Sequence, residues 1–316
     1  MTIQSISVEY DARNEDNVFF KGDTVTGRIV LEVAKETKIE CLSVKAKGKA
    51  VVSWTEHYGP NLHITYSSKE KFFSIKKTIL QNPRGGSEIL TPGRHVHPFS
   101  FEIPLMDLPS TFKGKHGKIK YFIEARVSRS MMLDSKAKTN FTVLSKDEVS
   151  IPNVMIPQQR NIEKHFVLFA SGNVTLNVTT EKMGYLQGES LKVKAEIINN
   201  STHTVTPKFI LYEKQCFYAE KRRKIYTKDI LKEKGECVSA QTQQNVTKIL
   251  TIPPDLPGTI FNCPNIQLEY RLKVILHVSF CRKCEVRLPI VVLTTHTRSQ
   301  SEDLQEKQNK SWFRFS

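Results

Sequence analysis

No apolar run in the 316 residues approaches the roughly 20 needed to span a bilayer as a helix. No secretory leader opens the chain, since Met1-Thr2-Ile3-Gln4-Ser5 runs straight into strand-like sequence. Thr2 stands where myristoylation would need glycine, and Phe315-Ser316 is no prenylation box. A cytoplasmic chain with reduced cysteines is therefore expected, reaching membranes by surface contact or through partners. There is no Gly-x-Ser-x-Gly elbow and no phosphate-cradling glycine loop. The cysteines include one CxxC, Cys281-Arg282-Lys283-Cys284, with no second to complete a zinc site. A thioredoxin-type dithiol would need a helix N-terminus, which the strand-turn-strand setting lacks. No segment shows a convincing helical period. Catalysis, cofactor and metal are thus not expected.

What is present is strand. Ile119, Tyr121, Ile123, Ala125 and Val127 are apolar at period two, with Lys120, Phe122, Glu124 and Arg126 between them. That is a half-buried antiparallel strand. Just before it stand Ile103-Pro104 and Leu108-Pro109-Ser110-Thr111-Phe112. The pattern returns as Ile252-Pro253-Pro254, Leu256-Pro257-Gly258-Thr259-Ile260 and an alternating run from Ile266 to Val278. A second pair keeps the same order. Phe20-Lys21-Gly22-Asp23-Thr24-Val25 parallels Leu186-Gln187-Gly188-Glu189-Ser190-Leu191. The chain reads as a duplication of two β units. The expected division is residues 1–148, an extended linker 149–165, residues 166–297, and a polar disordered tail 298–316.

The net charge of +15 does not concentrate. Residues 1–148 hold 23 Lys+Arg against 17 Asp+Glu, and residues 149–297 hold 20 against 12. A spread excess without a nucleic-acid motif favours solubility over nucleic-acid binding. Two basic clusters do stand out. Lys113, Lys115, Lys118 and Lys120, with His116, surround the turn before Tyr121. Lys221-Arg222-Arg223-Lys224 forms a block between two strands. Each is either a solvated loop or an anion site for phosphorylated tails or phosphoinositide headgroups. His95-Val96-His97 puts two imidazoles on one strand face, either plain polar surface or the start of a metal site with His57 or His63. Ile39–Trp54 reads as a long strand with Lys45, Lys47 and Lys49 on its polar face and a bulge or kink at Gly48.

Several of these motifs carry a resemblance. Gly22-Asp23-Thr24-Val25-Thr26-Gly27, Trp54-Thr55-Glu56, Pro98 to Pro104, and Leu108-Pro109-Ser110-Thr111-Phe112 with Gly117 and Tyr121 resemble the arrestin N-terminal domain. Gly184-Tyr185 with Gly188-Glu189, Ile197 with Asn199-Asn200-Ser201, and Leu250 through Tyr270 resemble the arrestin C-terminal domain. The best match is the arrestin domain-containing, or alpha-arrestin, branch. The resemblance implies an all-β fold of two tandem immunoglobulin-like sandwiches. It also implies an adaptor for membrane-protein cargo tails in endocytosis and ubiquitin-dependent sorting, recruited to plasma membrane and endosomes. Alternatives are a retromer-like coat subunit or a decoy that modulates longer relatives by hetero-association. The family's Pro-Pro-x-Tyr motifs are missing. Pro253-Pro254 is followed by Asp255-Leu256, and residues 295–316 contain no proline. Ubiquitin-ligase coupling is accordingly expected to be indirect.

Overall fold

The computed structural model describes residues 2–12, 16–82, 86–145, 154–166, 172–277 and 284–294. Among these the regular structure is all strand. Two compact units form. The first holds the described residues up to 145 together with Phe217–Arg223 and Asn262–Ile266, and the second holds the remainder.

In the first unit, β1 (Ile3–Tyr10), β3 (Thr24–Val33) and β8 (Gly93–Glu102) make a three-stranded sheet. Facing it, in spatial order, run β2 (Val18–Phe19), β11 (Met132–Val143), β10 (Gly117–Arg129), β5 (Cys41–His57) and β6 (His63–Gln81), with β9 (Phe112–Lys113) added on β10. A small ribbon pairs β4 (Thr37–Ile39) with β7 (Glu88–Leu90). The alternation read in the sequence decides what goes inside. Ile119, Tyr121, Ile123, Ala125 and Val127 are all buried. Phe141 lies at the centre of an aromatic cluster, with ring centroids 5.8 Å from Phe19 and 6.0 Å from Tyr121. These edge and tilted packings add to the area that the rings bury.

The second sandwich repeats the main strands of the first. β14 (Gly184–Leu186), β20 (Cys284–Leu293), β19 (Ile266–His277), β16 (Thr206–Ala219) and β17 (Arg222–Lys234) take the places of β2, β11, β10, β5 and β6. The opposing sheet is β13 (Gly172–Thr180), β15 (Ser190–Ser201) and β18 (Thr242–Thr251), extended by β12 (Gln158–Phe166). Both β2 and β14 pair in parallel with their neighbour, inside otherwise antiparallel sheets.

The duplication extends to single hydrogen bonds. The Asp23 carboxylate accepts the Phe20 N–H at 2.7 Å, and the Glu189 carboxylate accepts the Leu186 N–H at 2.8 Å. Gly22 and Gly188 turn these corners at φ +80° and +79°, in the left-handed region that favours glycine. Their N–H groups donate to the carbonyls of Ile103 and Ile252, each at 2.9 Å. The hydroxyls of Thr111 and Thr259 accept from the N–H of Val143 and Val292, at 2.9 and 2.8 Å.

Two expectations need correction. Part of the proposed linker, Gln158 onward, is the edge strand β12, in continuous register with β13 from Gln158↔Thr180 to Phe166↔Gly172. Val154 before it is buried against Val291 and Leu293. Residues 149–153 lie outside the described residues, as does the tail. The loop between β5 and β6 is short, because β6 begins at His63, which pairs with His57. The basic block Lys221–Lys224 does not lie between strands. It is a hairpin turn at Glu220-Lys221 followed by the start of β17. The bulge expected at Gly48 is present, as a register shift between Gly48 and Lys49.

Candidate functional site

Pairing of β5, β10 and β11 gathers lysines on the sheet's outer face. In the ladder Phe122 stands opposite Lys47, Lys120 opposite Lys49, and Glu124 opposite both Lys45 and Lys138. Side chains two apart on a strand share a face. Phe122 therefore sits on the outer face, yet only 2 % of it is exposed. Lysine stems cover it while their charged ends reach water. The ammonium groups of Lys47, Lys49, Lys120 and Lys138 lie 5.6, 5.4, 5.8 and 3.7 Å from its ring centroid. The negative face of an aromatic ring attracts such cations.

One ring cannot neutralise four charges. Burial lowers the Lys49 pKa, and Lys120, Lys69 and Lys47 lower it further. Burial and the charges of Lys138 and Lys118 do the same to Lys120. Lys138 is lowered by burial and Lys49, with Glu124 opposing. Glu124 also pairs with Lys47, at 3.6 Å. A polar groove continues along this face between Lys45, Lys76 and Arg126. The arrangement is a crowded cation field.

The matching face of the second sandwich is differently balanced. Its groove is lined by Tyr212, Lys214, Arg271, Lys273 and Arg287. There Glu269 takes Lys214 at 3.1 Å and Arg271 at 2.8 Å. Burial opposes ionisation of Glu269, but hydrogen bonds from Arg271 and Lys214 hold its carboxyl below the usual range. Arg287 pairs with Glu285 at 2.5 Å. Lys214, Arg271 and Arg287 of this groove thus have carboxylate partners.

Of the residues singled out from sequence, Lys120 flanks Phe122, and Lys118 stands two residues before it on the same face. Lys113 is on β9, opposite Lys118. Lys115 is exposed in the turn that the Gly114 N–H to Gly117 carbonyl bond closes, at 2.8 Å. Lys221 is a turn residue at φ +63°. Arg222, Arg223 and Lys224 open β17, where alternation puts Arg223 on the face opposite the other two. Lys47, Lys49 and Lys138 were not connected to the site from sequence. Their signal was the spacing Lys45-x-Lys47-x-Lys49 and Lys136-x-Lys138, which only strand register joins to Lys120.

The histidines do not converge. His95 and His97 stack with ring centroids 6.4 Å apart on β8, and His95 hydrogen-bonds the Thr91 carbonyl at 2.8 Å. His57 and His63 face each other across β5 and β6, in the other sheet, with Nδ1 atoms 2.5 Å apart. Among the described residues no three His, Cys, Asp or Glu side chains group as metal ligands. Cys281 to Lys283 of the CxxC lie outside the described residues. Cys284 is buried, and burial pushes its thiol up to about 11.

Two tandem sandwiches with matching Gly-acid corners define an arrestin fold. The family model for the arrestin (or S-antigen) N-terminal domain matches residues 6–150, and that for the C-terminal domain matches residues 170–297. The chain is 30 % identical over 301 residues to mouse arrestin domain-containing protein 4, covering 92 % of this chain and 72 % of that protein. It is 29 % identical over 308 residues to the human protein of that name, covering 93 % and 73 %. Mouse thioredoxin-interacting protein is 25 % identical over 304 residues, covering 92 % and 73 %. The chain belongs to the arrestin family, in its arrestin domain-containing (alpha-arrestin) branch.

Proposed function

We propose that the chain is a non-catalytic adaptor that holds acidic or phosphorylated cytoplasmic tails of membrane proteins. Endocytosis and ubiquitin-dependent sorting are the processes it serves, at the plasma membrane and endosomes. The observation that supports this reading is the cation field around Phe122. Four ammonium groups surround one ring, and the pKa values of Lys49, Lys120 and Lys138 are lowered by burial and by one another's charge, a state that a bound polyanion relieves. A phosphorylated segment lying on the sheet supplies such charge in charge-assisted hydrogen bonds. Proximity labelling in cells tests the role. The native chain should enrich membrane proteins with acidic tails, and a Lys47/Lys49/Lys120/Lys138→Gln variant should lose them. Equal enrichment by both would reject the site.

Ligase coupling is proposed to be indirect, through hetero-association or another partner. WW domains take proline-rich segments free to extend in the polyproline conformation. Ile252 and Leu256, on either side of Pro253-Pro254, are buried. That pinning, with Leu256 in place of tyrosine, favours the reading of the chain as a modulator of longer relatives. Calorimetry against a WW tandem should give no heat of binding, and micromolar affinity would reject this part.

A further inference from the structure

The hairpin joining β10 to β11 ends in three consecutive apolar residues turned to solvent. Met131 is 103 % exposed, Met132 59 % and Leu133 92 %. Nothing in the sandwich needs them there, and their exposure is maintained. The Arg129 guanidinium donates to the Leu133 carbonyl at 2.8 Å and to the Ser135 hydroxyl at 3.0 Å. It also reaches the Thr2 hydroxyl at 3.4 Å, tying the tip to the start of the chain. Arg129 pairs directly with Met132 across the ladder, after a bulge that follows Val127. The tip is thus held in one shape, with its apolar side chains outward.

Contiguous exposed apolar surface on a soluble domain marks an interaction site. Its occupant follows from shape and charge. The tip is a projection, so it needs a medium that closes around it. Behind it on the two arms stand Arg126, Arg129 and Lys136. The one acid of that stretch, Asp134, is taken up by Arg126. Lys45 and Lys76 continue the positive face farther back. An apolar point backed by cations matches an anionic bilayer surface, where chains accept the point and headgroups the cations.

We propose that the Met131-Met132-Leu133 tip inserts into anionic bilayers as a membrane wedge, distinct from the tail-binding face around Phe122. This goes beyond the adaptor reading and does not depend on it.

The full chain is tested by co-sedimentation with phosphatidylcholine vesicles, with and without phosphatidylserine. Binding is expected only with phosphatidylserine, and a Met131→Ser/Leu133→Ser variant should bind roughly tenfold more weakly. Its melting curve should match the native one, because both side chains are exposed. A Leu133→Trp variant supplies a second readout. Its emission should shift to the blue on phosphatidylserine vesicles and be quenched by brominated acyl chains. Unchanged sedimentation of the serine variant together with an unshifted tryptophan would overturn the proposal. Self-association in the ultracentrifuge that the serine changes abolish, with no vesicle effect, would assign the tip to a second copy instead. Tail-peptide affinity of the serine variant should equal the native value, which separates failure of the wedge from failure of the adaptor reading.

Discussion

The Tyr121 hydroxyl donates to the Pro109 carbonyl at 2.7 Å from inside the first sandwich. Tyr270 does the same to Pro257, also at 2.7 Å, in the second. Proline has no N–H for a ladder, so its segment is fastened by its carbonyl instead. The bond fixes the Leu-Pro segment over the strand that carries the tyrosine. Replacing either tyrosine by phenylalanine leaves a carbonyl without its partner, at a cost of about 1–2 kcal/mol. Urea unfolding should show a loss of that size for Tyr121→Phe and again for Tyr270→Phe.

Gly48 is expected to be far less tolerant. A Cβ there would lie 2.6 Å from Tyr121 Cε1 and 2.8 Å from Phe73 Cε1, both rings packed in place. Gly48→Ala should cost about 2–3 kcal/mol through overpacking. Gly188→Ala meets no atom within 4 Å and faces only its positive φ, so about 1 kcal/mol is expected. Thermal melts of the two variants should rank in that order.

The lysine field gives a pH signature with a definite sign. The pKa values of Lys49, Lys120 and Lys138 are lowered in the folded chain. Folding therefore disfavours their charged forms. The penalty is fully present at neutral pH and fades as pH rises through the lowered values toward the ordinary 10.5. Lys49→Gln should accordingly raise the melting temperature slightly near neutrality, and the gain should shrink as pH rises toward that value. Differential scanning across pH checks this, and a bound polyanion should remove the gain.

The thiols should separate by reactivity. Thiolate is the reactive form, and burial holds Cys263 above its ordinary pKa and Cys284 at about 11. Cys237 is exposed, with the Thr206 hydroxyl 3.1 Å from its sulfur. Iodoacetamide at neutral pH should modify Cys237 first and spare Cys263 and Cys284 until the chain unfolds. Peptide mass spectrometry reads the order.

The fold was legible wherever one strand face is buried. Ile119 to Val127 and Ile266 to Leu276 alternate because their odd or even positions fill a core. Gly22-Asp23 and Gly188-Glu189 were legible because their corners need a positive φ and a carboxylate. The edge strands β12 and β17 were not legible. They lie at sheet margins, where solvent reaches both faces and apolar alternation fades. The site was half legible. Lys118 and Lys120 were picked as a turn cluster and Lys45, Lys47 and Lys49 as a polar face. Joining them takes the register that puts Lys49 opposite Lys120. Phe122, between Lys120 and Glu124, carried no sign that lysine stems would bury it.

Fluorescence anisotropy with a labelled multiply phosphorylated peptide, beside its unphosphorylated form, tests the central claim most directly. The native chain should bind the phosphorylated peptide more tightly, with affinity falling as salt rises. Lys47/Lys49/Lys120/Lys138→Gln should erase the preference, while Arg222/Arg223→Gln leaves it intact. Equal binding of both peptides by the native chain, or a preference that survives loss of all four lysines, would contradict the assignment of tail binding to this face.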